Sequence, residues 1–172
     1  RRYKRELQIR DGFLLVVLAW LSLPLFGMLP IWGHFPELGL AKSYFEATSG
    51  LTASGGTVLT GLDSLPSTIN LWRGLMIWLG GMGLIVLAVA ILPMLGVGGR
   101  QLFKAEIPGP MKESKLTPRI AETAKGLWMV YTALTLLCVC AYWLAGMSGF
   151  DALIHAFTTL GLGGFSSHDA SY

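Results

Sequence analysis

The stretch GLTASGGTVLTGLDSLP, residues 50–66, decides how this sequence is read. It is small, polar and rich in glycine, yet it lies between two long apolar runs, Gly12–Gly33 and Gly74–Gly99. A third run, Gly126–Phe150, follows, and none of the three contains Asp, Glu, Lys, Arg or His. Each is long enough to cross a hydrocarbon core about 30 Å thick, which takes roughly 20 helical residues. The chain of 172 residues is 53% hydrophobic and 13% charged. Its mean hydropathy is +0.58. Such a composition points to an all-α membrane protein and away from a soluble domain. The first run is not a secretory signal, because Trp32, His34 and Pro36 stand at and just past its end in place of a small-residue cleavage site.

The charges set an expected orientation. Arg1, Arg2, Lys4, Arg5 and Arg10 precede the first run, and Arg100, Lys104, Lys112, Lys115, Arg119 and Lys125 lie between the second and third. Of Lys and Arg, the segment between the first two runs carries only Lys42 and the border residue Arg73. Basic flanks stay inside, so the N-terminal segment and the 100–125 connection are expected in the cytoplasm and residues 34–73 outside. These clusters flank spans and call for no nucleic acid. Cys138 and Cys140 lie two residues apart, on nearly opposite sides of a helix, and read as small apolar wall residues.

Residues 37–50 carry apolar side chains at helical spacing but are too short to span, and after Gly50 the chain turns to Thr, Ser and Gly. That is the pattern of a re-entrant segment, whose irregular backbone must be buried in protein or line water. The pattern recurs. A shift of 109 positions lays Ala47 on Ala156, Ser49 on Thr158, Leu51 on Leu160, Gly55 on Gly164 and Thr57 on Ser166. A shift of 108 matches two glycines but fewer other positions. The chain therefore reads as a basic segment 1–11 and a first unit 12–99, with spans near 12–33 and 70–97, a short helix near 37–50 and a loop at 51–57. A basic connection 100–125 leads to a second, incomplete unit 126–172, with a span near 126–147, a short helix near 151–160 and a loop at 161–166. Pro24 and Pro30 are expected to kink or end the first span near Pro30. Gly80, Gly81 and Gly83 suit close helix packing better than a hinge.

Loops of this kind suit an ion. A potassium ion in a narrow pore must exchange its water shell for other oxygens, and inward-pointing backbone carbonyls supply them. Glycine gives the backbone freedom, and Thr and Ser keep the lining small. A short helix with its C-terminus toward the pore adds partial negative charge. Glu46 and Asp169 either add to that field or, for Glu46, pack behind the loop.

FEATSGLTASGGTV (Phe45–Val58) and HAFTTLGLGGFSSHD (His155–Asp169) resemble the first and second pore loops of the Trk/Ktr/HKT potassium transporter superfamily. RDGFLLVVLAW from Arg10 and GGMGLIVLAVAILP from Gly80 are similar to the membrane subunit of the bacterial Trk uptake system. The resemblance implies four span–pore helix–span repeats around one pore, of which this chain covers about two, with further helices before Arg1. Each repeat gives one filter strand centred on a glycine, here Gly55 and Gly164. Thr52, Ala53, Ser54 and Gly56 flank the first; Gly161, Leu162, Gly163 and Phe165 flank the second. Ala53 and Leu162 stand where the family commonly has hydroxyl residues. The resemblance further implies potassium as the transported ligand held by backbone carbonyls, no cofactor in this chain, and a multi-pass place in the bacterial inner membrane. It also implies a homodimer of the full-length subunit and a cytoplasmic ring of nucleotide-binding regulatory subunits, with symport among the family's modes.

Other classes fit less well. A tetrameric potassium channel would carry TVGYG-type loops, and here the two loops differ. A membrane enzyme would draw on His34, His155, His168, Asp151, Asp169 and the serines, but no HExxH, GxSxG or P-loop pattern occurs. A structural membrane subunit without transport is separated from a transporter by ion flux.

Overall fold

The computed structural model describes residues 9–91 and 116–170. The expectations for residues 1–8, for residues 92–99 at the end of the second span, for most of the 100–125 connection and for the last two residues lie outside them. The described residues form six α-helices and no strand: α1 (Ile9–Gly27), α2 (Leu29–His34), α3 (Gly39–Leu51), α4 (Ser67–Ile91), α5 (Leu116–Leu144) and α6 (Gly149–Gly161). This is the all-α membrane architecture expected. Three segments have the length and apolarity to cross a bilayer, Arg10–His34, Ser67–Val89 and Glu122–Leu144.

Pro30 has no N–H to continue the helix before it, and the first span steps at Met28 from α1 into α2. The indole N–H of Trp72 on α4 donates to the Gly27 carbonyl at 2.8 Å, so a backbone acceptor at the step is satisfied from a neighbouring helix. A 3₁₀ turn, Pro36–Leu38, then leads into α3, which starts at Gly39 with φ +70. The helix thus begins two residues later than its apolar spacing suggests. α6 starts at a reciprocal cap, in which Ser148 Oγ accepts from the Asp151 N–H at 3.1 Å and donates to its carboxylate at 2.6 Å.

α3 and α6 have 13 residues each. At 1.5 Å per residue each is about 20 Å long, too short to cross a membrane. Both pack against α4, α5 packs against α4 and α6, and α1 and α2 pack against α3. Adjacent glycines on α4 allow this. A Cβ on Gly80 would lie 2.0 Å from the Leu51 carbonyl oxygen at the end of α3, and one on Gly81 2.8 Å from the Gly161 Cα at the end of α6. The glycine cluster is a packing device that seats the ends of both short helices on one long one. Between α4, α5 and α6, Trp78 stacks near Trp128, Tyr131 and Phe157, and its indole N–H donates to Thr135 at 2.9 Å. The opposite face of α5 exposes Met129, Leu137, Trp143 and Leu144, an apolar surface suited to lipid or to further membrane helices.

Candidate functional site: two equivalent loops held by one buried arginine

The loops after α3 and α6 have the same backbone. Ser54 N–H donates to the Ser49 carbonyl at 3.0 Å, and Ala53 N–H to the Gly50 carbonyl at 3.1 Å. Exactly parallel bonds run from Gly163 to Thr158 at 3.1 Å and from Leu162 to Thr159 at 3.2 Å. Each set is a Schellman ending, in which a left-handed residue turns the chain off the helix and satisfies its last carbonyls. That residue is Ala53 (φ 54) in the first loop and Leu162 (φ 59) in the second. Glycine usually fills this place, and another L-residue there costs about 1–2 kcal/mol. Two residues on, the backbone turns left-handed again, at Gly55 (φ 75) and Gly164 (φ 71). All four landmarks are related by the 109-residue shift, so the hydrogen bonds fix the register between the repeats.

The two loops also meet. A Cβ on Gly55 would fall 2.1 Å from the Gly163 carbonyl oxygen, whereas one on Gly164 meets nothing within 4 Å. Gly55 is held to glycine by both its angle and its neighbour, and Gly164 by its angle alone. Thr52 and Gly161 sit at the ends of the short helices. Leu162 projects from the second turn and is 86% exposed, and Phe165 is buried.

Behind each loop a hydroxyl fixes the chain as it leaves. Thr57 Oγ1 accepts from the Leu59 N–H at 3.1 Å, and Ser166 Oγ accepts from the His168 N–H at 3.0 Å. The groups facing these hydroxyls differ. In the first repeat it is Glu46, fully buried, which accepts from Thr57 Oγ1 at 2.8 Å and from the Val58 N–H at 2.9 Å. In the second it is His155, buried at the equivalent position of α6, with Nε2 3.4 Å from Ser166 Oγ and Nδ1 2.8 Å from the Asp151 carbonyl. Of the two roles open to Glu46, the geometry selects the one behind the loop.

The charge of Glu46 is balanced by Arg73 on α4, 1% exposed and 2.9 Å away. Arg73 Nη2 donates to Thr57 Oγ1 at 3.1 Å, and Nη1 donates to the Ser166 carbonyl at 3.2 Å and lies 3.4 Å from Asn70 Oδ1. The guanidinium also sits 4.3 Å over the Phe165 ring, a cation–π contact. A charge inside a membrane protein is costly unless paired, and here each partner is supplied. Sequence reasoning treated Arg73 as a flank of the second span. The available signal was a lone arginine in the N-terminal part of an apolar helix, with one acid, Glu46, on the preceding short helix.

Beyond the two loops a polar chain joins the repeats. His168 bonds to Asp63 through Nδ1 and lies 3.2 Å from Asp151 through Nε2. Ser167 Oγ donates to Asp151 at 2.8 Å, and Asp169 accepts from the Gly61 N–H at 3.1 Å. The hydrogen bond to Asp63 raises the His168 pKa above its ordinary value, with further help from Asp151. The His168 bond in turn lowers Asp63, and the Ser148 hydroxyl is the main cause that lowers Asp151. His34 lies at the end of α2, stacked edge-on against Phe35, far in sequence from this chain of groups. No cluster of metal-ligating side chains occurs among the described residues.

The family model of the TrkH cation transport proteins matches residues 1–172. Over 172 residues the chain is 56% identical to the Trk system potassium uptake protein TrkH of Vibrio parahaemolyticus, covering 99% of this chain and 36% of that protein. It is 44% identical to TrkG of Escherichia coli over 168 residues, 96% of this chain and 34% of that one. The crystal structure of the potassium transporter TrkH from Vibrio parahaemolyticus superposes with a TM-score of 0.81 at 50% identity, over 99% of this chain and 33% of that chain. The chain thus spans about a third of the length of these relatives. With its whole length matched by the family model, and with paired re-entrant helices on a shared span, the chain belongs to the TrkH family of cation transport proteins.

Proposed function

We propose that this chain supplies two of four strands of a carbonyl-lined selectivity filter through which a bacterial inner-membrane transporter takes up potassium. The strands are Thr52–Gly56 and Gly161–Phe165, centred on Gly55 and Gly164. One observation carries the reading. Two loops 109 residues apart share a Schellman turn and a left-handed glycine, and they meet at the Gly55–Gly163 contact. Two such strands in contact present carbonyls of a common geometry, which is what replacing an ion's water shell requires. Each follows the C-terminal end of a short helix, where the partial negative charge favours a cation. The relatives named for potassium uptake support the choice of ion.

The N-terminal segment and the 100–125 connection then face the cytoplasm, where Lys112, Lys115 and Arg119 offer a docking surface to nucleotide-binding regulatory subunits. The full-length subunit works as a homodimer. The test is growth and rubidium uptake at limiting potassium, with sodium as competitor, in the intact transporter. Gly55→Ser and Gly164→Ser lower uptake and discrimination against sodium, while Thr60→Ser, outside the strands, leaves both near wild type. Wild-type uptake and selectivity in both glycine variants at normal membrane abundance would contradict the reading.

A further inference from the structure

We infer that Arg73 is a positioning residue that couples the two filter strands, so that the geometry of each depends on the other through one guanidinium. The inference rests on the filter reading above and deepens it. Arg73 is on α4, outside both loops, yet it reaches equivalent positions of the two. It donates to the Thr57 hydroxyl at 3.1 Å in the first and to the Ser166 carbonyl at 3.2 Å in the second. Thr57 and Ser166 are related by the same 109 positions as Gly55 and Gly164. Each follows its glycine by two residues, close enough that a displaced anchor turns the carbonyls before it.

The contacts are directional. An arginine has five N–H donors in a rigid planar fork, and here they serve four acceptors: Glu46, Thr57, Asn70 and the Ser166 carbonyl. Its flat face covers Phe165, the last residue of the second strand. A lysine keeps the charge opposite Glu46, but it has one point-like head and no planar face, so it cannot hold both strands at once. No buried side-chain nitrogen or oxygen among the described residues lacks a partner. A shift of Arg73 therefore leaves groups unsatisfied on both loops together rather than on one. The Gly55–Gly163 contact transmits any such shift, since a carbonyl oxygen of the second strand lies where a Gly55 side chain would be.

The experiment uses the intact transporter, with rubidium uptake measured against sodium competition and normalised to membrane abundance. The readout is the ratio of the sodium inhibition constant to the half-saturation constant for rubidium. A purely structural role would lower abundance or maximal uptake and leave that ratio alone. Arg73→Lys is expected to lower the ratio about tenfold, with a smaller effect on maximal uptake per transporter. A double-mutant cycle supplies the second arm. Thr57→Val removes the contact to the first strand and Phe165→Leu the face contact to the second. Their effects on the ratio are expected to be non-additive with Arg73 present, because both act through the same side chain. An unchanged ratio in Arg73→Lys, or additive effects in the cycle, overturns the coupling. If Arg73→Lys does not reach the membrane, the cycle decides alone. Gly55→Ser in the same assay separates the two readings. If it loses selectivity while the Arg73 and cycle arms are silent, only the coupling fails; if both it and Gly164→Ser are silent, the filter reading fails.

Discussion

The two loops share a backbone and differ in what holds it. The first is backed by a buried ion pair, Glu46–Arg73, whose acid takes both the Thr57 hydroxyl and the Val58 N–H. The second shares Arg73 through the Ser166 carbonyl, but its own backing is His155 and a chain of hydroxyls and carboxylates that reaches the exposed surface. Backbone geometry is the same in the two repeats while the anchoring chemistry differs. The common part, namely the turn off the helix, the left-handed glycine and the hydroxyl behind it, is what the proposed carbonyl-lined site needs. The variable part only has to satisfy buried polar groups, and several residue types do that.

The glycines separate the loops most strongly. Gly55→Ala places a methyl group against the Gly163 carbonyl and forces a left-handed angle on alanine, so neither strand can stay where it is. Gly164→Ala meets only the angle, worth about 1–2 kcal/mol. The expected result in rubidium uptake is a severe loss of selectivity for Gly55→Ala and a milder one for Gly164→Ala. Equal effects would mean that the contact between the loops is unimportant.

The next effect concerns the anchors. Glu46→Gln leaves Arg73 buried without its counter-charge, and breaking such a pair costs about 3–5 kcal/mol. His155→Gln disturbs a buried hydrogen-bonded group, with a cost of about 1–3 kcal/mol. Thermal unfolding of the purified full-length protein should therefore show the larger drop for Glu46→Gln. The reverse order would show that the second loop is the more tightly held.

The smallest effect is expected at the His168 cluster, where the groups are largely exposed and screened. When protonated, His168 bridges Asp63 of the first repeat and Asp151 of the second, with Asp169 beside them. Its pKa is raised in the folded state. Its contribution is therefore complete below the ordinary histidine value of about 6.5 and lost as pH rises through the raised value. The two carboxylates are lowered, so their share is complete above the ordinary carboxylate range and lost on acidification through their lowered values. Melting temperatures of wild type and His168→Gln should differ modestly between those limits and converge above them. A constant difference at every pH would remove the bridge from the account.

Much of this was legible in the sequence for definite reasons. Long charge-free runs report spans because charges are expensive in hydrocarbon, and the 109-residue repeat survives because glycine and small hydroxyl residues meet backbone demands that few others can. Boundaries were less legible. Pro36 and Gly39 shape a 3₁₀ turn that the apolar spacing around Leu38 and Leu40 does not report. Arg73 was misread because position along the chain makes it a flanking charge, and only folding places it within reach of Thr57, Ser166 and Glu46. The roles of Ala53 and Leu162 were equally hidden, since a left-handed turn on a non-glycine residue leaves no compositional mark.

The central claim is that the two loops hold ions together with their carbonyls. The most direct measurement is anomalous diffraction from crystals of the intact transporter grown in rubidium. The account predicts rubidium density on the pore axis, within coordination distance of backbone carbonyls from both Thr52–Gly55 and Gly161–Gly164. Rubidium bound elsewhere in the membrane region, with none beside either set of carbonyls, would contradict it.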